Sequence, residues 1–228
     1  TRYVAEARFI RALLHFDMVS YFGAVPLEDH VLSKDEAATI ARTPAADVLK
    51  WIADECDSVK DVLPFRYANE NENWGRVNGA AAYALKSRAL LYRASALNNP
   101  SNNTDWWQEA AKAALAFISK NSGQSNPYKL YTTASNDPTK NYYQCFVTTP
   151  HLNDEFILCR SEWNTREIEL FNAPCGFGGN VNSTGRNNPT QNLVDAYETI
   201  NGLPIDQDPT YDEQKPYQNR DPRLEQTI

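Results

Sequence analysis

A chain of 228 residues, 42% apolar and 22% charged, has room for one large domain or two small ones around a buried core. Its net charge of −7 and pI near 5.0, with no basic run, argue against nucleic-acid binding, which needs clustered Lys and Arg to neutralise phosphates. The apolar runs fall far short of the roughly 20 residues that cross a bilayer, which excludes an integral helical membrane protein.

The first predicted helix covers residues 2–22. Phe9, Leu13 and Phe16 share one side and Ile10, Leu14 and Tyr21 lie nearby, so neighbours on two sides are expected to bury it, and Gly23 stops it. The second helix has Thr43 as its expected N-cap, Pro44 at the first helical position, a stripe of Val48, Ile52, Val59 and Leu63, and an end at Pro64. The third, residues 79–97, follows Asn78 and presents Ala82, Leu85, Ala89, Tyr92 and Ala96, whose small members admit a close neighbour. The fourth is expected to start at Asp105, paired with Gln108 in a capping box, with Trp107, Ala111, Ala114 and Ile118 as its inner face. Trp106 and Trp107 read as packing at that helix start. Two antiparallel hairpins, with large side chains seated over alanines, are the construction of tetratricopeptide repeats. The uneven spacing of the helix starts makes this array degenerate.

After residue 121 the pattern breaks into Asn, Gly, Pro, Ser, Thr and aromatics, and every asparagine in the chain lies at or beyond Asn69. The expected organisation is therefore mainly α, with a helical scaffold over 1–121 and a loop-rich ligand-binding portion over 122–228 packed on it as one domain. Short strands are predicted at 145–148 and 155–160, where β-favouring residues concentrate. Residues 161–192 hold Trp163, Phe171 and Phe177 among several glycines, and a loop of that length and aromatic content reads as functional. In PTQNLVDAYETINGLPI, Pro189 suits a helix start, Leu193, Val194 and Tyr197 share one face, and Asn201-Gly202 closes the segment with a tight turn.

Signatures of catalysis are weak. Cys56, Cys145, Cys159 and Cys175 are scattered, as are His15, His30 and His151, so no metal site and no cofactor are expected. Cys56 reads as a buried hydrophobe, and for the other three a free thiol and a disulfide both stay open. The glycines at 176–179 lack the Lys-Ser/Thr of a phosphate loop. Asp154-Glu155 reads as a solvated turn rather than half of a glycosidase pair, and Ser161 has no nucleophile elbow around it. The informative feature is aromatic rings flanked by Asn, Arg and Gln. Rings cover the apolar C–H faces of a neutral polyhydroxylated ligand, while amides and guanidinium groups satisfy its hydroxyls. Trp163, Asn164 and Arg166 form the best such cluster, Phe177 and Asn180 lie further out, and Trp74 beside Asn71 and Asn73 is a second candidate. Packing of Trp163 and Trp74 in the core is the competing reading.

Several blocks carry a family resemblance: residues 6–19 with the following YFGAVPL, Arg42-Thr-Pro44, GRVNGAA at 75–81 leading to Ala89-Leu-Leu-Tyr92, PTQNLVDAY at 189–197, and NRDPRL at 219–224. In this order and over the whole chain they resemble the SusD/RagB family. The resemblance implies degenerate tetratricopeptide helices supporting a loop-rich, non-catalytic glycan-binding portion. It also implies a lipoprotein on the extracellular face of a Bacteroidetes outer membrane, partnered with a SusC-type TonB-dependent transporter, that acts in nutrient uptake. In that light the segment 189–205 is expected to dock the loop-rich half on the helices by burying Leu193, Val194 and Tyr197. Family members carry a lipidated N-terminal Cys that this chain lacks, so any membrane attachment is through an anchor not in this sequence. They are also longer, so the chain is expected to be incomplete. A tetratricopeptide-type protein or peptide scaffold without its own glycan site is the alternative, and a glycoside hydrolase the third.

Overall fold

The computed structural model describes residues 1–147, 153–160, 167–175, 185 and 188–228, excluding the side chains of Pro138 and of residues 167–169. Among these residues the secondary structure is helical: α1 (Arg2–Phe22), α2 (Lys34–Thr39), α3 (Ala45–Val59), α4 (Gly79–Ala94), α5 (Thr104–Ser122), α6 (Pro138–Val147), α7 (Glu167–Asn172), α8 (Gln191–Ala196) and α9 (Pro222–Thr227). β pairing among them is confined to two isolated bridges, Val25 with Thr43 and Thr199 with Arg220. This corrects the expected strands. Cys145–Val147 finish α6 and Thr148 lies outside the described residues, while 155–160 is irregular, with a turn at Asp154-Glu155 and bends at Ile157 and Leu158. Its backbone is satisfied another way, since the Ile157 carbonyl accepts from Asn78 Nδ2 at 2.9 Å.

Local chemistry sets the helix ends. Gly23, at φ 69°, closes α1 and donates its N–H to Val19 O. Asn78 caps α4 by accepting from the Ala81 N–H at 2.8 Å. The cap of α5 is Asn103, which accepts from Asp105 N–H, so the helix starts before the expected Asp105. Pro44 takes the N-cap position of α3, while the Thr43 N–H donates to Val25 O at 2.8 Å. The unpredicted α2 has a complete capping box between Ser33 and Glu36, a pair visible in the sequence as S-x-x-E.

The chain divides into two compact units, one of Thr1–Lys129 with Asp154–Arg160 and one of Leu130–Asn153 with Ser161–Ile228. In the first, α1 packs on α3, α3 on α4 and α4 on α5. Arg93, late in α4, pairs with Glu109, early in α5, at 3.0 Å, and Gly79, the first residue of α4, lies against the Lys60 carbonyl just past the end of α3. Successive helices therefore run antiparallel. The core is Phe9, Phe16, Val48, Leu49, Ile52, Cys56, Val59, Leu63 and Leu85, packed over Ala12, Ala82 and Ala89. These alanines let α4 approach its neighbours closely. Gly79 makes the tightest contact: a Cβ there would lie 2.5 Å from Lys60 O.

The faces of α1, α4 and α5 depart from expectation, and α4 ends at Ala94, leaving Ala96 beyond it and Tyr92 exposed at 44%. Helix α1 meets neighbours on one side only among the described residues, and Ile10, Leu14 and Tyr21 stay exposed at 47%, 56% and 83%. On α5 the buried positions are Ala110 and Ala113, with Phe117 packed on Phe65, while Trp107 and Ile118 are exposed. The inner face is thus rotated from the predicted one. Trp106 lies beneath Arg93, whose guanidinium carbon is 3.9 Å from the ring centre.

In the second unit α6 packs on α9, and Gln226 donates to the Thr139 carbonyl. Thr190 caps α8. Val194 is buried there, Tyr197 half-buried and Leu193 exposed, so only part of the predicted apolar face is covered. Gly202, at φ 71°, makes the expected turn, and Thr199 N–H donates to Leu203 O at 2.8 Å. All four cysteines are free thiols, Cys56 fully buried and its thiol pushed up to about 12 by burial.

Candidate ligand-binding site

Trp163, Asn164, Arg166, Phe177 and Asn180 lie outside the described residues. Trp74 is described. It sits half-buried in the turn between α3 and α4. Asn73 N–H donates to Glu70 O at 3.2 Å, Arg76 N–H to Asn73 O at 2.9 Å, and Asn73 Nδ2 to Asn69 O at 2.8 Å. Gly75 takes φ 71°, which lets the chain reverse immediately after the indole. Arg76 then ties the turn to α1 by a two-pronged contact with Glu6, at 2.8 and 3.2 Å. The indole of Trp74 is therefore carried on a braced loop with Asn71 exposed nearby in sequence.

The segment just before Trp163 is firmly held. Asp154 accepts from Arg66 Nη2 at 2.8 Å and from Lys129 Nζ at 3.3 Å, and these contacts hold its carboxyl below the usual carboxylate range against the opposing effect of burial. Arg66 also pairs with Glu70 and lies 4.6 Å from the Tyr128 ring centre. Lys129 N–H donates to Asp154 O at 3.1 Å. Asn78 Nδ2 reaches both Tyr128 Oη, at 3.2 Å, and Ile157 O, at 2.9 Å. Ile157 and Leu158 pack on the main core. One asparagine thus caps α4 and pins two loop segments, a role the sequence disclosed only in its capping half. Adjacent carboxylates at 154 and 155 are not a catalytic pair here, because Asp154 is committed to two cations.

A groove of about 300 Å3 crosses the array. Leu90 of α4 with Ala53, Ala113 and Ala116 forms its apolar lining, and Lys50, Asp54, Asp57, Lys86, Glu109 and Lys112 rim it. Small side chains on the flanking helices leave the space. Lys50 pairs with Asp54 and Lys86 with Asp57, whereas Lys112 has no ion-pair partner among the described residues. Among the described residues no group of three or more His, Cys, Asp or Glu could hold a metal ion, and no helix is long and apolar enough to cross a membrane.

An antiparallel helical array of tetratricopeptide character, followed by a unit of short helices and turns, is the SusD-like fold. The match covers nearly the whole chain. A SusD-like carbohydrate-binding protein from Bacteroides fragilis aligns with 99% of this chain at a TM-score of 0.71 and 28% identity. A second SusD-like protein from the same species aligns with 98% at a TM-score of 0.71 and 24% identity, and shows the shared fold. Surface glycan-binding protein A from Bacteroides uniformis aligns with 68% at a TM-score of 0.50 and 22% identity. The chain spans 39% and 42% of the lengths of the two SusD-like proteins. No protein-family model and no curated protein matches the chain.

Proposed function

We propose that the protein is a non-catalytic glycan-binding component of a bacterial surface uptake system, which captures oligosaccharide outside the outer membrane and passes it to a SusC-type TonB-dependent transporter. The carrying observation is the 28%-identical alignment of 99% of the chain with a SusD-like carbohydrate-binding protein. Trp163, Asn164 and Arg166 are the proposed central contacts, with Phe177, Asn180 and Trp74 further out. An aromatic face with amide and guanidinium groups suits sugar rings, which are apolar on their C–H faces and hydroxylated at their edges. A braced segment leading into Trp163 supports this assignment, because affinity for flexible sugars depends on preorganised contacts. Attachment to the membrane through a lipid anchor outside this sequence belongs to the same reading.

The test is a glycan array followed by calorimetry. Binding of one neutral oligosaccharide, weakened in Trp163→Ala with an unchanged circular dichroism spectrum, supports the reading. Absence of binding to every glycan overturns it. The charged-rimmed groove over α3–α5 favours a second reading, a peptide- or protein-binding scaffold of the uptake complex. Co-purification with a transporter that is lost in Lys112→Glu, in a protein that binds no glycan, selects that reading.

A further inference from the structure

The chain contains two Asn-Gly pairs, Asn78-Gly79 and Asn201-Gly202. Asn-Gly is the dipeptide most open to spontaneous modification, because glycine has no side chain to keep its backbone nitrogen from reaching the asparagine carboxamide. In that reaction the Gly N–H loses its proton, the nitrogen attacks the Asn Cγ, and ammonia leaves as a five-membered succinimide closes. Water then adds to either carbonyl of the ring and gives aspartate or isoaspartate. Two conditions must be met: the carboxamide turns back on the following peptide, and the Gly N–H is free to ionise.

Asn78 meets neither. It is buried, its Oδ1 accepts from the Ala81 N–H, its Nδ2 donates to Tyr128 Oη and Ile157 O, and the Gly79 N–H donates to Pro64 O at 2.8 Å. Asn201 lies in the exposed turn after α8 and is held by a different device. Its Nδ2 donates to Asp208 Oδ2 at 3.0 Å and to Thr210 Oγ1 at 3.4 Å, its N–H donates to Thr199 Oγ1 at 3.3 Å, and the Gly202 N–H donates to Thr199 O at 2.9 Å. Asp208 is the hub. It is 6% exposed and also accepts from Thr199 Oγ1 at 2.5 Å and from the N–H and Oγ1 of Thr210 at 2.8 and 2.7 Å. A carboxylate accepts and does not donate, so only the Nδ2 side of the Asn201 carboxamide can meet it. Hydrogen bonds from Thr199 first, then from Thr210 and Asn201, hold the Asp208 carboxyl well below the usual carboxylate range against the opposing effect of burial. The ionised acceptor is therefore the form on which this turn is built.

We propose that Asn201 is a latent deamidation site guarded by Asp208, so that modification at residues 201–202 proceeds only when the turn opens. The change is one-way. Aspartate at 201 brings no donor to Asp208 and sets a second carboxylate beside it, and isoaspartate also lengthens the main chain by a carbon. Either product weakens a turn whose neighbours tie down the later chain, since the Ile200 N–H donates to Asn219 O at 2.8 Å and the Asp221 N–H to Glu198 O at 2.9 Å.

The test is peptide mapping by mass spectrometry after incubation at mildly alkaline pH. It compares the folded chain, the same chain unfolded in guanidinium chloride, and the variants Asp208→Ala and Asp208→Asn. A hydrogen bond to a charged group corresponds to about tenfold or more in the population of an opened turn, so Asn201 is expected to convert about tenfold or more slowly in the folded chain than in the unfolded one. The Asp208 variants should recover much of that rate while Asn78 stays intact. Exchange protection of the Ile200 and Asp221 amides checks that the second unit of each variant is folded. Equal rates at Asn201 in the folded and unfolded chain overturn the proposal. An unchanged rate in a folded Asp208 variant overturns the role of Asp208, and so does loss of that protection in both variants, which makes Asp208 a residue that the fold itself requires.

Discussion

Asn78 shows how much one side chain carries. Its Oδ1 caps α4 and its Nδ2 satisfies a buried tyrosine hydroxyl and a part-buried carbonyl. Loss of an N-cap costs about 0.5–2 kcal/mol and an orphaned buried acceptor about 1–3 kcal/mol, so Asn78→Ala is expected to destabilise the first unit by about 2–4 kcal/mol in urea denaturation. Asn78→Asp keeps the cap and loses the donors, and should fall between. Glu55 is a second such residue. It is buried against α1, where Arg8 donates to it at 3.0 and 2.6 Å and Arg11 at 3.0 Å. Hydrogen bonding from Arg8 is the largest cause of its depressed pKa, with burial opposing. A carboxylate with a depressed folded pKa contributes stability above its unfolded value, about 4.3, and loses that contribution as pH falls further through the folded value. Thermal melts should therefore drop on acidification below about pH 4, and Glu55→Gln should be less stable at neutral pH and show a smaller part of that drop. Gly79 has no room for a Cβ against the backbone after α3. Gly79→Ala should cost about 1–3 kcal/mol through forced separation of α3 and α4, readable as a lower denaturation midpoint.

At the level of the element, periodicity located the helices better than it assigned their faces. The α3 stripe of Val48, Ile52 and Val59 is buried as spaced, because a single apolar stripe on a helix with a polar back has one way to face the core, while the helix ends at Val59 rather than at the expected Pro64 and Leu63 is buried in the turn that follows. Leu85 on α4 belongs to the same core, and Leu85→Ala is expected to cost about 2–5 kcal/mol by calorimetric melting. Helix α1 is apolar around most of its circumference, so its sequence does not say which side is covered. Helix α5 carries alanines on adjacent positions, so Ala110–Ala113 and Ala111–Ala114 were equivalent in pattern. The larger ring of Phe117, packed on Phe65 at 6.0 Å between centres, decides between them. The short strands failed for a different reason. A strand needs an extended backbone and a neighbour, whereas residues 155–160 turn and bend and the Ile157 carbonyl is met by the Asn78 side chain.

For the molecule as a whole, the ordered blocks from residue 6 to residue 224 pointed to a SusD-like fold, and the alignment of 99% of the chain at a TM-score of 0.71 agrees. The candidate contacts were legible only as chemistry. Rings beside amides suggest a polyol, but no local pattern shows that Arg220 gathers the carbonyls of Pro216, Val194 and Tyr197. Conversion of Arg220 to Lys, which cannot reproduce that fork, should lower the melting temperature. The sequence by itself determined the helical character of the first half and the caps at Gly23 and Asn78, because these depend on residues near one another in the chain. Tertiary structure alone decided which faces of α1 and α5 are covered and that residues 154–160 join the helical unit. Those outcomes depend on distant segments competing for the same surface, and no local pattern records the winner.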